Sequence, residues 1–269
     1  SGYLKILTLC QTSRMRSKAF FCLLPIFIAS CTKEVKTKDS LLEHLPPNPS
    51  LVLKITNLTN FKSELKNNSN LKSIEGFSNI KKVADKIKGL EHLSTDKTCV
   101  LALYEVGKDN HDYILATKND SGIFNVDSVS NKTVETLTYE ETKVSKYNLD
   151  GLEVYSLRKN DDILLSSSMM LMENLIRVSE NTPADPTLKK LYQASSLDKS
   201  ATIFINPSGN TSLLALKEQD KTMDNPFSSW ISLDFTANSD EVNLSGVAMA
   251  PDSTKNFINL FKGTSPLAN

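Results

Sequence analysis

Reactive and metal-binding side chains are scarce in this sequence. Its 269 residues include only 4 Cys, 3 His, 1 Trp and 9 Gly. The histidines, His44, His92 and His111, have no second histidine one helical turn away and no acidic ligand at a fixed spacing, so each is expected at the surface. The glycines are mostly isolated turn positions, which excludes a glycine-rich phosphate loop. The sequence therefore predicts no metal site and no cofactor.

The chain also lacks net charge. It carries 31 Lys and Arg against 31 Asp and Glu. Because nucleic-acid binding requires a cluster of cations to displace counterions, no nucleic-acid partner is expected. The balance is not uniform, since the first 30 residues contain four cations and no acid. The remaining residues are therefore mildly acidic.

The basic segment is typical of an export signal. Residues 15–18 (MRSK) precede an 11-residue apolar run at 19–29, and Ser30 and Cys31 follow. A short basic region, an apolar region and small residues predict a signal peptide over 15–30. Eleven helical residues would span only about half of a ~30 Å hydrocarbon core, so a transmembrane anchor is not expected.

The end of this segment has a more specific pattern. Ile28, Ala29, Ser30 and Cys31 resemble the lipobox of bacterial lipoproteins. The resemblance implies cleavage at the motif Ile28-Ala29-Ser30 and a diacylglycerol on the Cys31 sulfur, which would anchor the chain to the membrane. Thr32 after the cysteine implies sorting to the outer membrane. Two alternatives stay open: a secretory signal in which Cys31 is incidental, and a buried apolar segment.

These features give an expected domain organisation. The five expected parts are 1–14, an upstream artefact of gene calling before Met15; 15–30, the lipoprotein signal peptide; 31–49, the lipidated cysteine and a charged tether; 50–199, an α+β module; and 200–269, the start of a second, truncated module.

Hydrophobic periodicity predicts an α+β fold, with an antiparallel sheet and helices packed on one of its faces. The expected strands are 50–55, 99–106, 113–118, 133–139, 143–148, 153–157, 162–166, 201–206, 230–236 and 241–249. The expected helices are 61–65, 71–90, 169–178, 187–194, 212–217 and 253–261. Residues 50–66 and 200–216 share a pattern of apolar strand, polar turn and amphipathic helix, and each is followed by two strands. This repetition favours two copies of a strand-helix-hairpin module, with duplication by chance as the alternative.

Several phrases resemble one family. A PPNPS-like approach to the first strand at 46–50, NLTNFKSELKNN at 57–68 and KNDDILLSSSMMLMENLIR at 159–177 are similar to the large flavobacterial-type (Bacteroidetes) envelope lipoproteins of uncharacterised function. That resemblance implies an envelope location and an α+β body, and it implies no reaction.

Enzymatic patterns are weak. Ser196 and Lys199 have the serine-x-x-lysine spacing of penicillin-binding enzymes, but Ser196 follows an expected helix instead of starting one. The carboxylate pairs Glu140-Glu141 and Asp161-Asp162 are expected in solvated turns. Cys99 falls in an apolar run and is expected to be a core residue, without the base that a nucleophile needs. No catalytic residue is assigned.

The sequence therefore predicts a lipid-anchored envelope protein, most simply a non-enzymatic binding or scaffolding module with a protein or glycan partner and a membrane anchor at Cys31. The alternative is an envelope hydrolase whose catalytic residues lie beyond Asn269.

Overall fold

Ten antiparallel strands form one sheet in the described part of the chain. The computed structural model describes residues 41–74, 78–107, 110–120, 122–177, 184–207 and 228–250. The strands are β1 (Leu51–Ile55), β2 (Cys99–Glu105), β3 (His111–Lys118), β4 (Lys132–Tyr139), β5 (Thr142–Leu149), β6 (Leu152–Lys159), β7 (Asp162–Ser166), β8 (Ala201–Ile205), β9 (Trp230–Ala237) and β10 (Val242–Met249). Their order is β10-β9-β8-β1-β2-β3-β7-β6-β5-β4. The predicted antiparallel sheet is confirmed.

Five α-helices accompany this sheet in the described residues. They are α1 (Leu58–Asn67), α2 (Ser69–Ile74), α3 (Ser78–Ile87), α4 (Met169–Arg177) and α5 (Pro186–Ala194), and short 3-10 helices cover Leu41–His44 and Lys88–His92. Asn57 caps α1 by accepting a hydrogen bond from the Asn60 N–H at 2.9 Å. Asp185 caps α5 in the same way, and Pro186 occupies the first helical position, where its missing N–H costs nothing. No helix among these is long and apolar enough to cross a bilayer.

The described residues belong to the compact unit Lys38–Asn269, and residues 1–37 lie outside the described residues. The predicted helices at 212–217 and 253–261 also lie outside them. The single helix predicted over 71–90 is replaced, where the chain is described, by the end of α2, by α3 and by a 3-10 helix.

The sheet is covered on both faces. One face, here the α4 face, packs against α4 and α5 through side chains that include Val52, Val100, Ile114, Leu164 and Phe204. The opposite face, the α1 face, packs against α1 and carries Ile55, Leu101, Leu115, Leu165 and Phe235.

The expectation of helices on one face only is therefore wrong. Its physical reason lies in β2 and β3, whose residues are buried at almost every position. Such strands need cover on both faces, whereas an alternating strand needs it on one. The outermost strands, β4 and β10, are mostly exposed, and the alternation of apolar and polar residues in their sequences matches that exposure.

Candidate binding site

The predicted lipidation site cannot be placed in the fold. Ile28, Ala29, Ser30 and Cys31 lie outside the described residues. The lipobox therefore stays a prediction from the sequence.

Cys99 is a core residue, as predicted. It is fully buried at the start of β2, and its Sγ donates to the Lys97 carbonyl at 3.6 Å. Burial raises the pKa of the Cys99 thiol to about 11. Because the thiolate is the reactive form, both burial and this pKa oppose a nucleophilic role.

The serine-lysine pattern does not form an enzymatic pair. Ser196 and Lys199 follow the end of α5 in a non-helical segment, so the lysine is not one helical turn from the serine. The Ser196 hydroxyl instead donates to the Asp198 carboxylate. The triplet Ser208-Gly209-Asn210 resembles the second sequence motif of penicillin-binding enzymes, and it lies outside the described residues.

Two polar residues expected at the surface are buried, and a third is partly buried. Asp162 is 3% exposed, and its carboxylate oxygens lie 2.7 Å from His44 Nε2 and 2.7 Å from Lys118 Nζ. His111, expected in a hairpin loop, is the first residue of β3 and is buried, whereas His92 is partly exposed. The surface prediction for His111 and the solvated-turn prediction for Asp162 are wrong. His44 is partly buried, because its ring contacts Asp162, 118 residues away.

A second buried carboxylate has a structural role. Asp112 Oδ1 accepts hydrogen bonds from Lys86 Nζ at 2.8 Å and from Ser167 Oγ at 3.0 Å. The Ser167 oxygen in turn accepts from the Tyr113 N–H at 3.0 Å. The Asp112 oxygen that accepts from this serine also accepts from Lys86, so the cluster ties α3 to β3 and to the segment after β7. Within the described ranges, no three His, Cys, Asp or Glu side chains converge as metal ligands.

The cavity with the most diverse chemistry lies on the α1 face of β5 and β6. This β5–β6 pocket has a volume of about 440 Å³. Its floor carries Lys143, Ser145 and Tyr147 from β5 and Ser156 and Arg158 from β6. Asp120 and Phe124, from the segment after β3, line the pocket as well.

The two cations of the pocket lack acidic partners. The ladder between β5 and β6 runs from the pair Leu149–Leu152 to the pair Ser145–Ser156. Lys143 and Arg158 lie two residues beyond that last pair, and both line the pocket. Both side chains are exposed, and neither has an ion pair or hydrogen bond with any residue that the structure describes. The Asp120 carboxylate, at the same pocket, forms no ion pair with either. The pocket therefore has two cations against one acid.

Hydroxyl groups and aromatic rings complete the site. Ser145 and Ser156 face each other across the β5–β6 pair, and neither hydroxyl has a hydrogen-bond partner in the described parts of the chain. Phe124 and Tyr147 form an edge-to-face pair with ring centroids 5.1 Å apart. Such a pair presents a firm apolar surface beside the polar floor.

Two other concavities offer less. A depression of about 670 Å³ near the β5–β6 turn contains Asn131, Asn148 and Asp150, but its cation Lys132 already contacts the Val126 carbonyl and Asp127. A cleft of about 190 Å³ lies between the proline-rich segment at 46–49 and α5, beside Trp230. Neither combines free cations, free hydroxyls and aromatic rings.

The sequence analysis missed Lys143 and Arg158. They are 15 residues apart, and nothing in their immediate neighbours is unusual. A signal was present in the turn Asp150-Gly151, whose φ angles of 50° and 88° suit a tight hairpin. Counting back from that turn puts both cations on the same face, at the end of the hairpin away from the turn.

Comparison with known proteins identifies no family. No protein-family description matches the chain, and no curated protein matches it. A crystal structure of TP0453, crystal form I, is similar over 84% of each chain, with 14% identical residues and a TM-score of 0.44. A likeness at that level carries no functional information.

Proposed function

We propose that this chain is a lipid-anchored protein of the bacterial envelope, on the outer membrane, which binds a partner through its sheet and catalyses no reaction. The observation that carries the anchor is the order of features at the N-terminal end: a basic region, 11 apolar residues, and the motif Ile28 to Cys31. Two acyl chains on Cys31 would give stable anchoring, because one chain alone binds a bilayer only marginally.

The distance from the anchor to the fold suits this proposal. Leu41, ten residues after Cys31, is 2% exposed and packs in the core of the α4 face. Ten extended residues reach at most about 35 Å. The intervening residues are mostly charged or polar, which favours a solvated tether. The folded body would thus be held near the bilayer without insertion.

The binding role rests on the β5–β6 pocket. Two cations, two hydroxyls and an aromatic pair line this pocket, and neither the cations nor the hydroxyls have a partner among the described residues. The buried carboxylates Asp112 and Asp162, in contrast, contact other residues of the fold. Convergent polar groups beside aromatic rings are typical of ligand sites.

We also infer that the strands β1–β3 and β8–β10 are two copies of one module. β1 and β8 are antiparallel neighbours centred on the pair Leu53 and Ile203, and the order β10-β9-β8-β1-β2-β3 is symmetric about them. An experimental structure with a helix at 212–217, placed against β8 as α1 is against β1, would support duplication. A different path there would contradict it.

The anchor is tested by a pair of matched serine variants. In a bacterium with a lipoprotein pathway, the wild type is expected to incorporate labelled palmitate and to sediment with the outer membrane after density separation. Cys31→Ser should lose both properties. Cys22→Ser makes the same atomic change nine residues upstream, within the apolar run, and should retain both.

Two results would overturn the proposal. One is a wild type that incorporates no palmitate together with a Cys31→Ser variant that still partitions into the membrane. The other is equal loss of labelling in both variants, since that would indicate damage to the signal and no specific role of Cys31.

A further inference from the structure

We propose that the β5–β6 pocket binds an acidic saccharide. Lys143 and Arg158 would hold its anionic group, Ser145 and Ser156 would bind sugar hydroxyls, and Phe124 and Tyr147 would contact the ring. This inference deepens the proposed binding role and is independent of lipidation at Cys31.

The charge arrangement points to an anion. Two cations that line one pocket repel each other unless an anion lies between them. Lys143 and Arg158 both line this pocket, and neither contacts an acid among the described residues. The arginine fork matches a carboxylate or phosphate with two parallel hydrogen bonds, and the lysine adds a point charge. A bound anion would relieve the repulsion between them.

The floor of the pocket points to a ligand rich in hydroxyls. Ser156 and Ser145 line the pocket opposite each other, and neither hydroxyl has a partner in the described chain. A serine hydroxyl can donate one hydrogen bond and accept two. Two such groups on neighbouring strands suit sugar hydroxyls.

The wall and the volume also fit a sugar. The rings of Phe124 and Tyr147, with centroids 5.1 Å apart, provide a surface for the apolar C–H face of a pyranose. The volume of about 440 Å³ lies within the range of small-ligand sites.

An acidic peptide fits less well than a saccharide. Extended peptides gain affinity by pairing with the free backbone groups of a sheet edge. β5 lies between β4 and β6, and β6 lies between β5 and β7, so neither strand is an outer edge of the sheet. Recognition in this pocket therefore depends on side chains.

The experiment is titration calorimetry on the full chain in detergent. The probes are tetragalacturonate, which carries carboxylates, and glucose 6-phosphate, which carries a phosphate; maltotetraose is the neutral comparison and tetraglutamate the peptide comparison. The wild type should bind one of the two acidic sugars at least about tenfold more tightly than maltotetraose or tetraglutamate.

A charge-matched pair of double variants locates the site. Lys143→Gln with Arg158→Gln should weaken binding of that sugar by about 10- to 100-fold, because charge-assisted hydrogen bonds are lost. Lys66→Gln with Lys190→Gln removes the same charge from exposed lysines outside the pocket and should leave the Kd within about twofold. All four side chains are exposed, so the variants should fold.

Three results would overturn the proposal. The first is no binding of either acidic sugar at millimolar concentration. The second is equal binding of maltotetraose or tetraglutamate, which would indicate a neutral-sugar or acidic-peptide site. The third is equal weakening by both double variants, which would indicate unspecific attraction to positive charge. Palmitate labelling is unaffected by any of these results, so failure of the anchor and failure of the pocket are distinguishable.

Discussion

Two buried tyrosines on neighbouring strands should respond in opposite directions to the same substitution. Tyr104 in β2 is 6% exposed, and its hydroxyl donates to the Pro46 carbonyl at 2.9 Å. Tyr113 in β3 is fully buried, and its hydroxyl has no hydrogen-bond partner among the described residues. Replacement by phenylalanine removes only the hydroxyl in each case, so the ring packing is nearly preserved.

The expected magnitudes follow from those partners. Tyr104→Phe loses a hydrogen bond and leaves the Pro46 carbonyl unpaired, so the free energy of unfolding should fall by about 1–2 kcal/mol. Tyr113→Phe removes a buried hydroxyl that lacks a partner. Since such a group costs about 1–3 kcal/mol when buried, this variant should be as stable as the wild type or more stable, by up to about 1 kcal/mol.

Urea unfolding at neutral pH measures both variants. The single tryptophan, Trp230, is 3% exposed, so its fluorescence reports loss of the fold. The slope of the free energy against urea should be equal in all three proteins, and only the midpoints should differ. If Tyr113→Phe lost as much stability as Tyr104→Phe, the hydrogen-bond assignment would be wrong.

Two further predictions concern the core of the α1 face. Burial raises the pKa of the Cys99 thiol from near 9 to about 11. The contribution of this thiol to the free energy of unfolding is therefore fully present below pH 9 and is lost as the pH rises to about 11. The stability advantage of the wild type over Cys99→Ala should shrink by about 2 kcal/mol between pH 8 and pH 10.5. An unchanged difference in urea midpoints would contradict the burial of this thiol. At Gly89, a Cβ would lie 2.5 Å from Val154 Cγ2, so Gly89→Ala should lower the free energy of unfolding by about 1–3 kcal/mol. The loss should be smaller in a Val154→Ala background, and equal losses in both would refute the steric explanation.

Local patterns in the sequence predicted the strands well. β7 has the predicted bounds, and β5 and β6 differ from prediction by two residues or fewer at each end. These strands are short apolar or alternating runs, and the turn Asp150-Gly151 accommodates the positive φ angles that a tight hairpin needs. Alternation and turn chemistry are local properties, so they can be read without the tertiary structure.

Contacts between distant segments could not be predicted in this way. The burial of Asp162 depends on His44, 118 residues away, and a local pattern cannot show that meeting. The packing of helices on both faces of the sheet could be predicted in part. The continuous apolar runs of β2 and β3 differ from the alternating apolar and polar residues of the outer strands. The placement of Lys143 and Arg158 at one pocket required the hairpin register, which the turn indicates.

The central claim is the lipid on Cys31, and the mass of one tryptic peptide tests it most directly. Cleavage after Lys33 releases Cys31-Thr32-Lys33 from the mature chain. The account predicts this tripeptide with a diacylglyceryl group on the Cys31 sulfur and no peptide that contains Ala29-Ser30-Cys31 in continuous sequence. Recovery of unmodified Cys31 in an unbroken peptide from Ala19 to Lys33 would contradict it.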